Sequence, residues 1–376
     1  MTMIEGGVIA GVDAHTDTHD AAVLDDCGRL LATRTFAADP AGYRQMQAWA
    51  EGFGAVAAIG VESTGSYAAG LVRHLRANDL RVLEVNQPHP HARRRRGKSD
   101  PIDAEMAARH VLAQSAVVIA KDTTGIVESI RLLRVAREGA VKARSAALNA
   151  LTGVIVSAPD ELREQITVRK TTRARANLCA RLRPDQARLH EPIQAAKVAL
   201  RSLGRRVSDL DTEIAALDGQ LKLLVAKAAP RTTGLLAVST GHAGQLLVTA
   251  GQNIERLTSE ASFAALCGAS PIPVSTGRTD RHRLNYGGDR DANRALHMIA
   301  VCRLRYCQRT RAYAERRTAE GKTKTEIIRC LKRYIAREAY HALNADLNPR
   351  IPPPTRRPII SITCDAGPIG RTARSA

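Results

Sequence analysis

Four carboxylates stand where a folded sheet could gather them. Asp13 lies in GVDAHTDTH, Glu62 in GVESTGSY, and Asp100 and Asp103 sit three apart in SDPIDAE. The last two would share one face of a helix's first turn. Carboxylates held close together repel unless a cation neutralises them. An all-oxygen donor set suits Mg²⁺ or Mn²⁺, and two such ions about 3.5–4 Å apart can activate an attacking oxygen and stabilise a leaving one. Each acid taken singly also suits a plainer role: Asp13 in a turn, Asp100 as an N-cap, Glu62 beside an arginine. Asp17 and Asp20 fall on a turn and an early strand and are left out of the set. His15 and His19 read as turn residues rather than ligands.

A second group surrounds Ser275 in PVSTGRTDRHR, followed by Arg278, Arg281 and Arg283. A serine oxygen can attack a phosphodiester if the phosphate charge is neutralised and the alcohol activated. Arginines supply the first condition, and a nearby metal or carboxylate the second. Taken alone, Ser-Thr-Gly after Pro-Val is more often just a turn, and Thr276 is a rival nucleophile. A further basic run, Arg93, Arg94, Arg95, Arg96 and Lys98, precedes the Asp100 motif and suits nucleic-acid contact.

The elements that must position these residues follow from the pattern. Residues 8–14, 19–25 and 29–36 are short β-favouring runs separated by polar turns, a meander of three strands. A helix at about 41–52, a buried strand at 55–62, an amphipathic helix at about 67–78 and a strand at 81–86 come next. A helix then opens at Pro101 with Asp100 at its cap. This β-β-β-α-β-α-β-α order describes a mixed α/β sheet, and both ribonuclease-H-like nucleases and actin-like ATPases fit it. Residues 126–157 read as helix and are followed by the basic stretch VRKTTRARANLCARLRPDQ. Leu203, Val207, Leu210, Ile214, Leu217, Leu221 and Leu224 then alternate at steps of four and three. That is an a/d seam suited to a coiled coil, or to one amphipathic helix packed on its own domain. Pro230 closes it, and an α-rich segment runs from about 232 to 345.

The composition constrains partners. Among 376 residues, 56 Lys and Arg face 37 Asp and Glu, for a net charge of +19, a balance that favours a polyanionic partner. Between Arg278 and Arg337, 17 basic residues face six acidic ones. Aromatics are only 3%, which favours phosphate neutralisation over base stacking. Seven scattered cysteines without a CxxC pair indicate neither a zinc ribbon nor a disulfide framework, consistent with a reducing cytoplasm. No signal peptide and no membrane span are expected.

The set GVDAHTDTH, GVESTGSY and KSDPIDAE resembles the D-E-D-D signature of bacterial insertion-sequence transposases with a RuvC-type N-terminal domain. These are the recombinases guided by an element-encoded bridge RNA. FAALCGASPIPVSTGRTDRHRLNYGGDRDANRALH is similar to that family's C-terminal transposase domain. The matched blocks span roughly residues 8–114 and 233–300. The resemblance implies an α/β ribonuclease-H-like (RuvC-type) domain over 6–125 and a helical linker with coiled coil over 126–229. It further implies an α-rich transposase domain over 230–345, and a basic tail at 346–376 is expected to be disordered. It makes Asp13, Glu62, Asp100 and Asp103 the metal-binding catalytic acids and Ser275 the nucleophile. It also implies double-stranded DNA and a structured guide RNA as partners, and a homo-oligomer, dimer or tetramer, in which two subunits complete each active site. The setting would be the bacterial cytoplasm, at the nucleoid. Two departures stand out: Tyr286 where a basic residue is expected, and LLAVSTGHAGQLL, which resembles a helix–hairpin–helix stretch but lacks its G-h-G.

Other readings make different demands. A junction-resolving endonuclease needs the acids without Ser275. A sugar-kinase-like ATPase needs Gly-rich phosphate loops that are not evident. A non-catalytic DNA- or RNA-binding protein leaves the acid quartet as an unexplained electrostatic cost.

Overall fold

The computed structural model describes residues 7–62, 64–85, 100–115, 117–277 and 279–348. The N-terminal sheet has six strands in the order β3-β2-β1-β4-β5-β6. The strands are β1 (Val8–Ala14), β2 (Thr18–Leu24), β3 (Leu30–Ala37), β4 (Val56–Val61), β5 (Val82–Val85) and β6 (Val117–Ile119). β1, β2 and β3 form the expected antiparallel meander, while β4 and β5 add in parallel to β1. β1 is buried along its whole length, as a central strand covered on both faces must be. β6 pairs antiparallel with β5; its three residues were too few to register as a strand in the sequence.

Strand alternation assigns the two faces. Val8, Ala10, Val12 and Ala14 join a core with Met46 and Ala50 of α1 (Pro40–Glu51) and Leu71, Val72 and Leu75 of α2 (Ala69–Ala77). Ile9 points the other way, into a core with Ala107, Ala108 and Val111 of α3 (Asp100–Leu112). Asp13 shares the parity of Ile9 and so faces the α3 side. Gly11, between them, sets the spacing. A Cβ there would stand 2.2 Å from the Ala104 carbonyl oxygen and 2.3 Å from the Ala108 nitrogen, so only glycine lets α3 lie this close to β1.

Two compact units divide the chain: residues 1–128 with 245–376, and residues 129–244. The second unit is helical, built mainly from α4 (Gly125–Ser157), α5 (Asp160–Thr167), α6 (Thr172–Cys179) and α7 (Pro192–Ala228). α5 precedes the basic stretch VRKTTRARANLCARLRPDQ, and α6 forms within it. Arg137 pairs with Asp218 and Arg144 with Asp211, one heptad forward on α4 and one back on α7, so the helices run antiparallel. Leu200, Leu203 and Val207 of α7 meet Ala147, Leu151 and Ile155 of α4 in one apolar cluster. This part of the heptad seam is occupied within the chain itself.

In the first unit, the sheet segment is joined by α8 (Thr240–Ala250), α9 (Glu260–Leu266) and a hairpin of β7 (Ile272–Thr276) and β8 (Thr279–Arg283). It is completed by α10 (Arg290–Tyr306), α11 (Gln308–Ala319) and α12 (Lys324–Leu347). Buried Arg256 ties this helix-rich part to the sheet, donating to the carbonyls of Ile119 at 3.0 Å and Ala250 at 3.2 Å and to Glu84 at 3.3 Å. Among the described residues no helix is long and apolar enough to cross a membrane. The tail from 349 onward lies outside the described residues.

Candidate acidic centre and basic hairpin

β1, the end of β4 and the first turn of α3 converge at one edge of the sheet. Asp13 is buried near the end of β1 and is paired in register with Asp20 of β2. Asp103, on the first turn of α3, is 4% exposed, whereas Asp100 remains half-exposed. Val12 and Val61 are register partners, and the Glu62 amide donates to the Val12 carbonyl at 3.2 Å. Glu62 therefore leaves its strand beside Asp13. Burial holds the Asp13 carboxyl above the ordinary aspartate range; His15 opposes the shift, while Asp103, Asp100 and Asp20 add to it. The proximity expected of Asp13, Asp100 and Asp103 is thus present, with Glu62 on the neighbouring strand end.

His15 holds a more specific position than a turn residue needs. Its Nε2 lies 3.2 Å from Asp13 and 3.5 Å from Asp100. One ligand atom from each of Asp13, His15 and Asp100 falls within 4.8 Å of the others. Asp20, also left out of the sequence set, is 8% exposed and accepts a 2.5 Å hydrogen bond from Thr35. The i,i+2 spacing of Asp13 and His15 was a signal for the first. Only the hairpin register, unreadable from one strand, reveals the second. Close, partly desolvated carboxylates with one imidazole form a donor set that fits a divalent cation.

The second group sits on the β7–β8 hairpin. Ser275 is the penultimate residue of β7, in register with Asp280, and Gly277 makes the turn. Arg281 pairs with Val274, and exposed Arg283 with Ile272. Arg278, like Arg93 to Arg96 and Lys98, lies outside the described residues. The following Gly-Gly has a definite use. A Cβ on Gly288 would meet the Gly268 backbone nitrogen at 2.2 Å. Asp289 caps α10, accepting from the amides of Asp291 and Ala292 at 2.9 and 3.0 Å, and takes the Thr249 hydroxyl at 2.7 Å. Asn293 donates to the carbonyls of Cys267 and Gly268, both at 2.9 Å, and accepts from buried Lys332 at 2.7 Å. The expected turn and helix start are therefore a hydrogen-bonded base for the hairpin, and Lys332 was not anticipated in it.

Two family models match the chain. One of the DEDD IS110 type, described as Transposase, matches residues 10–158, and one described as Transposase IS116/IS110/IS902 family matches residues 236–315. No curated protein matched the chain. The first match spans the acidic centre and the second spans the hairpin, in the order in which the two motif groups occur in the sequence. The family implies DNA as a partner and use of a divalent metal. The chain belongs to the IS110-type insertion-sequence transposases.

Proposed function

We propose that this transposase excises and inserts its element by joining an acidic metal centre to serine chemistry. Asp13, Glu62, Asp100 and Asp103 form the metal set and Ser275 is the nucleophile. The observation that carries the first half is the convergence of Asp13, Asp100 and Asp103, with Asp13 partly desolvated. Mg²⁺ or Mn²⁺, when bound, would neutralise phosphate charge and favour the ionised form of an attacking oxygen. The carboxylates would hold that cation against the scissile phosphate, and one of them accepts the serine proton. Ser275 Oγ forms a bond to phosphorus as the phosphorus–oxygen bond to the departing nucleoside breaks, and that oxygen is protonated from solvent. Arg278, Arg281 and Arg283 offset the charge of the phosphate.

The fold of the N-terminal domain, in this reading, is the RuvC type of ribonuclease-H-like sheet. Its 6–125 segment is followed by helices over 126–229 that contribute to assembly, and by the 230–345 transposase domain. Exposed Leu223, Val135 and Leu132 of the helical unit support a coiled-coil contact between copies, in a dimer or tetramer. A structured guide RNA supplies target choice, consistent with the +19 charge. The basic run at Arg93 to Arg96 with Lys98 contributes nucleic-acid contacts, and the protein works in the bacterial cytoplasm at the nucleoid.

The test is strand cleavage by two variants. Asp13→Asn and Ser275→Ala should each lose cleavage and recombination while still binding DNA. A Ser275→Ala protein that cleaves normally would favour the junction-resolving endonuclease, and full activity in Asp13→Asn would remove the acid site from the chemistry.

A further inference from the structure

A cavity of about 510 Å³ opens between α12, the loop Gly268–Pro271 and the chain leaving β8 at His282–Asn285. Its volume falls within the range of sites that hold small organic ligands. Its walls are dominated by cations, among them Arg283, Lys322, Arg329 and Lys332, and the carboxylates on it, Glu260 and Glu326, are already engaged. Glu260 binds Arg337 at 2.5 Å, His341 at 3.4 Å and Arg333 at 3.5 Å. Glu326 is held in the capping box of α12, accepting from the Thr323 amide at 2.9 Å and hydroxyl at 2.8 Å. Among the described residues, Arg283, Lys322 and Arg329 have no carboxylate at ion-pair distance.

The base of the cavity adds charge that is hard to explain otherwise. Lys332 is 5% exposed, and its amine rests on the neutral side-chain oxygen of Asn293 at 2.7 Å. Burying an ammonium against a neutral partner is costly, and burial pushes its pKa down. Nearby Arg329 adds like-charge repulsion to that burial. An anion entering the cavity removes both costs, and guanidinium forks match phosphate oxygens. The lining also includes half-exposed Tyr334, together with Leu284 and Pro271, which offer surface for the apolar part of a ligand. Arg283 faces Ile272 across the hairpin, three residues before Ser275 on β7, or about 10 Å at strand rise.

We propose that this cavity is a docking site for one nucleotide of the DNA strand, its phosphate held by Arg283, Lys322 and Arg329 and its remainder set against Tyr334. It anchors the strand beside the Ser275 hairpin. The inference rests on the DNA-handling reading but not on serine chemistry or on metal.

Cys330 is partly exposed and lines the cavity, whereas Cys27 is exposed on the β2–β3 turn far from it in sequence. The full-length protein is alkylated with iodoacetamide in EDTA, with a 30-residue DNA probe at about ten times its Kd. Labelling at each cysteine is followed by peptide mass spectrometry, and DNA binding is read by anisotropy in the same sample. Cys330 labelling should slow about ten-fold, tracking the free fraction, with Cys27 unchanged. Lys322→Gln combined with Arg329→Gln should restore the Cys330 rate at the same DNA concentration. Full-rate labelling of Cys330 with DNA bound overturns the proposal. So does protection by an RNA of the same length but not by DNA, or by inorganic phosphate alone. Because the measurement involves no cleavage, its failure is distinct from failure of the acid site or of Ser275.

Discussion

The imidazole of His15 lies 3.2 Å from the carboxylate of Asp13 and reaches Asp100 at 3.5 Å from the same nitrogen. One side chain thus touches acids contributed by a strand and by a helix 87 residues apart, Asp13 and Asp100, at the proposed site of a divalent cation. In the free protein this histidine lies where it can offset repulsion among the acids.

The electrostatic strain gives a signed prediction. Burial, reinforced by Asp103, Asp100 and Asp20 and opposed by His15, holds Asp13 above the ordinary aspartate range. The unfolded chain then releases its proton first. The stability contributed by a protonated Asp13 is fully present below the ordinary aspartate value, about 3.9, and is lost as pH rises through the elevated folded value. Asp13→Asn removes that loss. In EDTA at pH 7 the variant should melt above the wild type, and in Mg²⁺ only the wild type should gain stability. Denaturant titrations from pH 3 to 7, with and without Mg²⁺, check both. A variant that melts lower in EDTA contradicts the strain.

Much of this site was legible before the structure. Asp13, Glu62, Asp100 and Asp103 could be placed because strand ends and a helix start follow from period-2 and capping patterns, which are local. Asp20 could not, because its place opposite Asp13 depends on hairpin register. Nor could Lys332, which reaches Asn293 across 39 residues of chain. The heptad seam was visible, but periodicity does not say which helix fills it. The antiparallel pairing of Arg137 with Asp218 and Arg144 with Asp211 places α4 beside α7.

Salt should govern binding. With 17 basic residues against six acidic ones between Arg278 and Arg337, duplex affinity should fall by roughly 0.9 log units per log unit of salt for each phosphate contacted. Arg281→Ala should weaken binding to unrelated sequences to the same extent and reduce the slope by about one contact. Anisotropy titrations across a salt series measure this, and a flat response between low and physiological salt contradicts it.

Assembly should depend on apolar residues that the helical unit leaves exposed. Leu223 is 75% exposed and Val135 59% exposed, so aspartate at both positions should leave the fold intact. Each apolar side chain buried between copies contributes on the order of 1–3 kcal/mol. The double variant should therefore dissociate at micromolar concentration and stop recombining. Leu210→Asp with Leu217→Asp should do the same if the seam itself is shared between copies. Light scattering decides, and unchanged mass in both variants would confine the seam to one chain.

The most direct test of the account is the covalent step at Ser275. The hydroxyl is a weak nucleophile at neutral pH and needs the acid centre or another base beside it, so the bond should form only in the assembled complex. A suicide DNA substrate, in which the cleaved strand cannot be religated, is incubated with the protein, Mg²⁺ and any co-purifying RNA, then denatured. The account predicts a protein–DNA adduct that survives denaturant and maps to Ser275, absent from the Ser275→Ala and Asp13→Asn proteins. An adduct at Thr276 would move the nucleophile by one residue. Recombination products from the Ser275→Ala protein, without any adduct, would contradict the serine mechanism and leave the chemistry to the acidic centre alone.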